Sequence, residues 1–345
     1  MDRKEMSEHI SMGSRLYQVL LEPARQFIGE KKKLIIAPDG PLYYLPFEAL
    51  IVSGAKNTGT DGKSLAAIPY LITQAEVSYV PSASILVAQT KAQRTEQKQA
   101  QLPLVAFGDP IYEGNAASVS STVPAPLTNI ALRGLNFNRL EFSEDEVLRI
   151  GRIWGIPPTS EHINLRERAS AERVRELDLT RYRIVHFATH AVLGDKVGML
   201  SQPALVLSQT GSDEKSRGLL QFSDILELKL NADLVVLSAC ETGLGNLHQG
   251  EGIVGLTRAF FYAGASSAVV SLWKVEDQST SLLMEKFYQW LKKGTSKAEA
   301  LRQAKLEILN SKIELKSLGG VQSLASPFFW APFILVGDWG PIREY

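Results

Sequence analysis

The sequence predicts an α/β fold, a three-layer sandwich with a mainly parallel central sheet and helices on both faces. Two patterns carry that prediction. Apolar runs of strand length recur at 33–37, 77–80, 104–107, 184–188, 204–207, 234–239, 268–272 and 333–336, and most are continuous rather than alternating, as in strands buried on both faces. Helical patterns separate these runs, which is the signature of crossover connections in a parallel sheet. Composition supports a packed core: 45% of the 345 residues are hydrophobic and 21% charged, close to the roughly 45–50% and 25% of globular domains.

Taken in order, residues 16–28 carry apolar side chains at helical spacing, interrupted near Pro23. The run at 33–37 ends in Pro38-Asp39-Gly40, a turn signal. Ser143 with Glu146, and Ser296 with Glu299, fit the Ser-x-x-Glu capping box. Residues 222–228 read as a short crossover helix. Residues 253–262 read as a longer helix stopped by Gly264, and 282–291 place Leu282, Leu283, Phe287, Trp290 and Leu291 on one stripe. Polar stretches at 52–64, 112–130 and 209–218 are expected surface loops. With no repeat of 20–50 residues, the expected organisation is a tail at 1–13 and one domain at 14–345. Within it, 14–140 is an N-terminal subdomain and 141–345 carries the chemistry.

Charge and composition exclude several classes. Lys plus Arg and Asp plus Glu both count 37, so there is no bulk field for nucleic acid or an acidic membrane. The longest apolar runs fall well short of the roughly 18–20 residues of a membrane helix. The N-terminal residues lack the apolar core of a signal peptide, and a cytoplasmic location is expected. Cys240 is the single cysteine, which excludes an internal disulfide and a thiolate zinc cage. No cofactor and no metal are expected.

Several motifs fail on context. Residues 57–64 end like a phosphate-cradling loop but have Asn57 in place of the first glycine, and lack the strand and helix that flank such a loop. Gly243-Leu244-Gly245 opens like a dinucleotide fingerprint, yet the third glycine position is His248. His186 and His190 have the spacing of a helical zinc motif but sit in strand-like sequence, where four residues span about 13 Å and the rings cannot share a metal. His162 and His248 read as surface or packing residues, and His186 as a core histidine.

One constellation survives. The runs ending in His190 and Cys240 each carry a reactive side chain at a strand's carboxyl end, where open α/β sheets build their sites. Fifty residues separate the two, enough for one crossover that sets the strands side by side. A free thiol with a pKa near ~8.5 is only a few per cent thiolate at neutral pH, and a neighbouring imidazole is the base that activates it. The backbone N–H groups of Cys240 and Ala191 are the expected oxyanion donors. Taken alone, a cysteine after an apolar strand is an inert buried hydrophobe.

The motifs His186-Phe187-Ala188-Thr189-His190 and Ser238-Ala239-Cys240-Glu241-Thr242-Gly243 resemble those of CHAT domains, caspase-like peptidase modules related to separases. The resemblance extends to Gly250-Glu251-Gly252, Leu256-Thr257-Arg258-Ala259-Phe260 and the segment from Ser271 to Asp277. It also takes in Phe329-Trp330-Ala331-Pro332 with the apolar run to Asp338 and, N-terminally, Pro38-Asp39-Gly40-Pro41 and Leu45-Pro46-Phe47. It covers about residues 16–339. It implies a caspase-hemoglobinase fold and a His190/Cys240 dyad, with Ala191 where caspase-type relatives usually have glycine. The donor N–H survives that change, but the methyl tightens the pocket or restricts the backbone.

By the same resemblance, the segment holding Trp273 and Asp277 binds substrate. Asp277 matches an acidic position for a basic residue before the scissile bond, and Lys274 departs from the separase pattern. Asp277 reads equally well as the N-cap of a helix at 279–291. The function implied is a cysteine endopeptidase acting on specific protein partners. Its activator would be a partner or sensor module, often helical repeats in relatives, in bacterial signalling, defence or cell death. The rivals are a catalytically silent caspase-like interaction module and, more distantly, a nucleotide-binding protein using 243–252.

Overall fold

The structure is a computed structural model and describes residues 3–29, 32–52, 65–92, 100–112, 137–192, 202–209, 218–238, 240–241, 252–315 and 320–343. The strands are β1 (Lys33–Ile36), β2 (Glu76–Tyr79), β3 (Leu102–Gly108), β4 (Ile163–Leu165), β5 (Tyr182–Ala188), β6 (His190–Val192) and β7 (Ala204–Val206). They continue with β8 (Leu219–Gln221), β9 (Leu234–Leu237), β10 (Cys240–Glu241), β11 (Ser267–Ser271), β12 (Lys312–Glu314), β13 (Val321–Ser323) and β14 (Phe333–Gly337). The α-helices are α1 (Arg3–Leu20), α2 (Arg25–Ile28), α3 (Ala83–Ala92), α4 (Ser143–Ile153), α5 (Ala171–Glu176), α6 (Phe222–Glu227), α7 (Gly252–Ala263), α8 (Asp277–Lys292), α9 (Lys297–Leu309) and α10 (Pro327–Trp330).

Among the described residues, eight strands form one sheet in the order β1-β2-β14-β11-β9-β5-β3-β4. Every neighbouring pair is parallel except β11 with β14, so two parallel blocks meet along one antiparallel seam. Successive side chains point to opposite faces of a strand, and both faces here are apolar. Val105, Phe107, Val185, Phe187, Val235 and Leu237 enter one core, beneath Tyr17 of α1, Ile225 of α6 and Phe260 of α7. Leu104, Ala106, Ile184, Leu234 and Val236 enter the other, beneath Val147 of α4, Leu283 and Phe287 of α8, and Leu301 of α9. This is the expected three-layer class, and the two-sided burial explains why the strands read as unbroken apolar runs.

The run at 204–207 departs from that scheme. Its strand β7 lies in a second sheet, β10-β6-β7-β8, antiparallel to both β6 and β8. The helix expected at 16–28 is split by a 3-10 turn at Glu22–Ala24 containing Pro23, and it starts earlier than expected. Residues read as a tail are helical from Arg3, with His9 Nε2 3.0 Å from Tyr70 Oη. The two expected capping boxes diverge. Ser296 caps α9 by accepting from Glu299 N at 3.2 Å, while the Glu299 carboxylate turns to Arg302 and Gln303. Ser143 caps nothing. It is the first helical residue of α4, its hydroxyl donates to Leu140 O and accepts from Asp109 N, and Glu146 is drawn inward to His186.

Gly264 ends α7 as expected, at φ +115°, where a Cβ would meet Leu230 O at 2.2 Å. The close approach of β3 to α4 needs a glycine as well: a Cβ on Gly108 would lie 2.6 Å from Val147 Cγ2 and 2.9 Å from Ser143 O.

Candidate active site

Both chemically suggestive strands break at their carboxyl ends and resume in the smaller sheet. After β5, Thr189 is fully buried. Its hydroxyl donates to Val206 O and lies 3.1 Å from Tyr112 Oη. The chain then continues as β6. After β9 it continues past buried Ser238 as β10. In the central sheet Ile184 pairs with Leu234 and Phe187 with Leu237, a chain separation of 50 residues. The same separation reappears past the breaks, where His190 is the parallel register partner of Cys240. Parallel neighbours lie about 4.8 Å apart, so the two backbones are adjacent. The side chain of Cys240 lies outside the described residues.

His190 is 4% exposed. Its Nε2 lies 2.8 Å from Asn138 O, and because a carbonyl only accepts, Nε2 carries the proton and donates. Nδ1 is then the lone-pair nitrogen, and it is buried with no hydrogen-bond partner among the described residues. The rings of Tyr112 and Phe137 flank the imidazole at centroid distances of 5.1 and 5.4 Å. Burial pushes the His190 pKa below its usual 6.5; the Asn138 carbonyl pulls it up, and the nearby Lys274 charge adds to the lowering. The ring is therefore neutral at pH 7 and able to accept a proton at Nδ1. Ala191, the middle residue of β6, stands between Leu205 of β7 and Glu241 of β10.

Trp273 and Asp277 follow the carboxyl end of β11, next to β9 in the sheet. The Trp273 indole donates to Phe328 O at 3.3 Å. Asp277 is not the N-cap of its helix: α8 starts at Asp277 itself, and the cap is Glu276, whose carboxylate accepts from Ser279 N at 2.7 Å. Asp277 Oδ2 instead accepts from Phe142 N at 2.8 Å. Its pKa is raised to about 7, chiefly by burial, with the Phe142 N–H opposing and the charges of Glu146, Glu276 and Glu141 adding to the rise.

Among the described residues, the other histidines sit away from these strand ends. His186 is fully buried on the α4–α8 side, bonded to Tyr288 Oη and to Glu146 Oε1, each at 2.9 Å, the core role its mid-strand position predicts. His162 Nδ1 lies 2.9 Å from Tyr182 Oη. His248, the glycines at 243–250 and the loop at 57–64 lie outside the described residues. Among the described residues no group of three His, Cys, Asp or Glu side chains is placed to hold a metal ion, and no helix is long and apolar enough to cross a membrane.

Sequence reasoning missed Asn138, Tyr112 and Phe137. Asn138 acts through its carbonyl, a group common to every residue and so without a sequence signature. The polar stretch at 112–130 places Tyr112 at the start of a surface loop, yet it is 2% exposed.

The chain matches the CHAT domain model over residues 11–338 and belongs to the CHAT domain family. It is similar to Tetratricopeptide repeat protein 28 of Homo sapiens, at 25% identity over 339 residues, and to that of Mus musculus, at 26% over 344 residues. Each match covers 90% of this chain but only 12% of the relative, so the chain spans a small part of the curated proteins it matches. Among solved structures it is similar to the Saccharomyces cerevisiae separase–securin complex, at 10% identity and a TM-score of 0.43, over 86% of this chain and 14% of that one.

Proposed function

We propose that this CHAT domain is a cysteine endopeptidase in which His190 and Cys240 form the catalytic dyad. The observation that carries the reading is the β6–β10 register, which makes His190 and Cys240 direct parallel partners. The open, buried Nδ1 of His190 supports it, since a neutral imidazole with a free lone pair is the base a thiol needs. In this mechanism Nδ1 takes the thiol proton and the thiolate attacks the scissile carbonyl carbon, moving the carbonyl electron pair onto oxygen. The imidazolium then protonates the leaving amine as the C–N bond breaks, leaving a thioester. Water, deprotonated by the same imidazole, hydrolyses that thioester and restores the thiol. The amides of Cys240 and Ala191 are the proposed oxyanion donors.

The substrates are proteins, and Trp273 and Asp277 are the proposed lining of the cleft beside the dyad. With a pKa of about 7 and one oxygen on Phe142 N, Asp277 recognises a basic residue through its remaining oxygen, and the cation draws the proton off. A peptide-library scan with no enrichment of Arg or Lys removes this part of the reading. At 4% exposure His190 is closed to a polypeptide, so cleavage requires the rim to open, whereas alkylation by a reagent as small as iodoacetamide does not. An activating protein or attached module is the proposed trigger.

The decisive test uses the single cysteine. Iodoacetamide should alkylate Cys240 at pH 7 faster than a model thiol, and His190→Ala should bring the rate down to the model value. The enhanced rate should persist to pH 6.5, where a thiol with a pKa of ~8.5 is only about 1% thiolate. Labelling that requires denaturant would overturn the peptidase reading in favour of a silent interaction module.

A further inference from the structure

The Asn138 carbonyl holds His190 only if residues 137–139 are themselves held, and they precede α4 with no helix or strand of their own. Their anchor is Asp109, at the carboxyl end of β3, the strand beside β5. Its side chain is fully buried. Arg139, the residue after Asn138, meets that carboxylate with a two-pronged grip, Nε to Oδ1 at 2.7 Å and Nη2 to Oδ2 at 2.9 Å. Arg166 Nη1 adds a third contact at 3.2 Å, and the Asp109 N–H is held by Ser143 Oγ at 3.1 Å. Asp109 adopts a φ of 45°, a left-handed conformation that Asp tolerates better than most residues. A buried carboxylate is costly unless paired. A bidentate guanidinium pair also fixes direction, which a lysine does not.

We propose that Asp109 and Arg139 are positioning residues for His190. Their fork fixes the peptide that carries the Asn138 carbonyl, the carbonyl fixes the imidazole through Nε2, and Nδ1 is thereby kept as the unbonded, proton-accepting nitrogen. The inference rests on the dyad reading for its purpose. Its geometry stands independently, in a chain of contacts from the end of β3 to the ring.

The test is NMR on protein labelled with 15N-histidine, read beside the iodoacetamide rate. Wild type should show a downfield, slowly exchanging Nε2–H resonance for His190. Arg139→Gln should lose that resonance to exchange with water and lower the His190 titration midpoint, because the carbonyl that favours the charged ring has drifted away. Alkylation of Cys240 should slow about 10-fold, the lower end of what partners that orient metal-ligand histidines are worth. Arg139→Lys should fall between wild type and Arg139→Gln. Arg166→Gln touches the same carboxylate but not the 137–139 segment, and it should leave the resonance in place. Asp109→Asn removes a buried charge and is at risk of unfolding. Arg139 is 47% exposed in its side chain, so its variants carry the test. A folded Arg139→Gln protein with resonance, midpoint and rate unchanged overturns the proposal, as does a wild type without the resonance. If the resonance depends on Arg139 while His190→Ala leaves alkylation unaltered, the dyad reading falls and the positioning role stands.

Discussion

At the scale of single residues, the site is governed by what burial does to two ionisable groups of opposite sign. His190 resists protonation in the fold, so its contribution to stability is complete above its unfolded pKa of 6.5 and is lost as pH falls below it. Asp277 behaves in the reverse sense. Its carboxyl ionises at 3.8 in the unfolded chain and at about 7 in the fold, so its contribution is complete below 3.8 and is lost as pH rises through 7. Asp277→Asn keeps an oxygen that can accept from Phe142 N but cannot ionise. Its melting temperature should therefore gain on that of wild type as pH rises from 5 to 8.5. A difference that stays flat with pH would mean that Asp277 is not desolvated. The side-by-side placement of His190 and Cys240 was legible because both stand at the end of an unmistakable apolar run and 50 residues suffice for one crossover. Asn138 and Arg139 were not legible, since one works through its backbone and the other through a partner 30 residues earlier in the chain.

At the scale of elements, the same four-letter pattern gave two different structures. Ser296 and Ser143 both precede a glutamate by three residues, yet only Ser296 caps its helix. What decides is the neighbour. Glu146 faces the inner side of α4, where His186 offers a buried partner, and Asp109 N offers the Ser143 hydroxyl a donor that outweighs a free amide of its own helix. Ser296→Ala should cost about 1 kcal/mol in urea unfolding, the usual worth of a cap, with no change at His190. Ser143→Ala leaves a buried N–H unpaired and should cost about 1–3 kcal/mol while also perturbing the His190 resonance, because Asp109 is loosened. The smaller sheet was illegible for a related reason. Strands of two or three residues such as β6, β8 and β10 are too short to show any period.

At the scale of the whole molecule, the first and last thirds of the chain are tied by buried charge as well as by strand pairing. Lys305 of α9 reaches the Glu48 carboxylate, which also accepts from the Tyr79 hydroxyl of β2, while Phe47 N donates to that hydroxyl at 2.8 Å. All three side chains are buried. Glu48→Gln leaves the ammonium without its counter-charge and should cost about 3–5 kcal/mol in urea unfolding. Glu48→Leu combined with Lys305→Met should recover most of that loss. A single substitution that costs nothing would show that the pair is solvated. The parallel class and both cores were legible in the continuous runs, but strand order and the antiparallel seam were not, because no local pattern records which strand lies beside which.

That seam fixes an order of events during synthesis. Among the described strands, β1 and β2 join the sheet only through β14, so these two strands, synthesised before it, wait for β14 to emerge. At about 5–20 residues per second, the apolar edge at Tyr79 stays unsheltered on the order of tens of seconds before Val336 arrives to cover it. A nascent chain stalled short of that point carries β6 and β10 already made beside an open, sticky border.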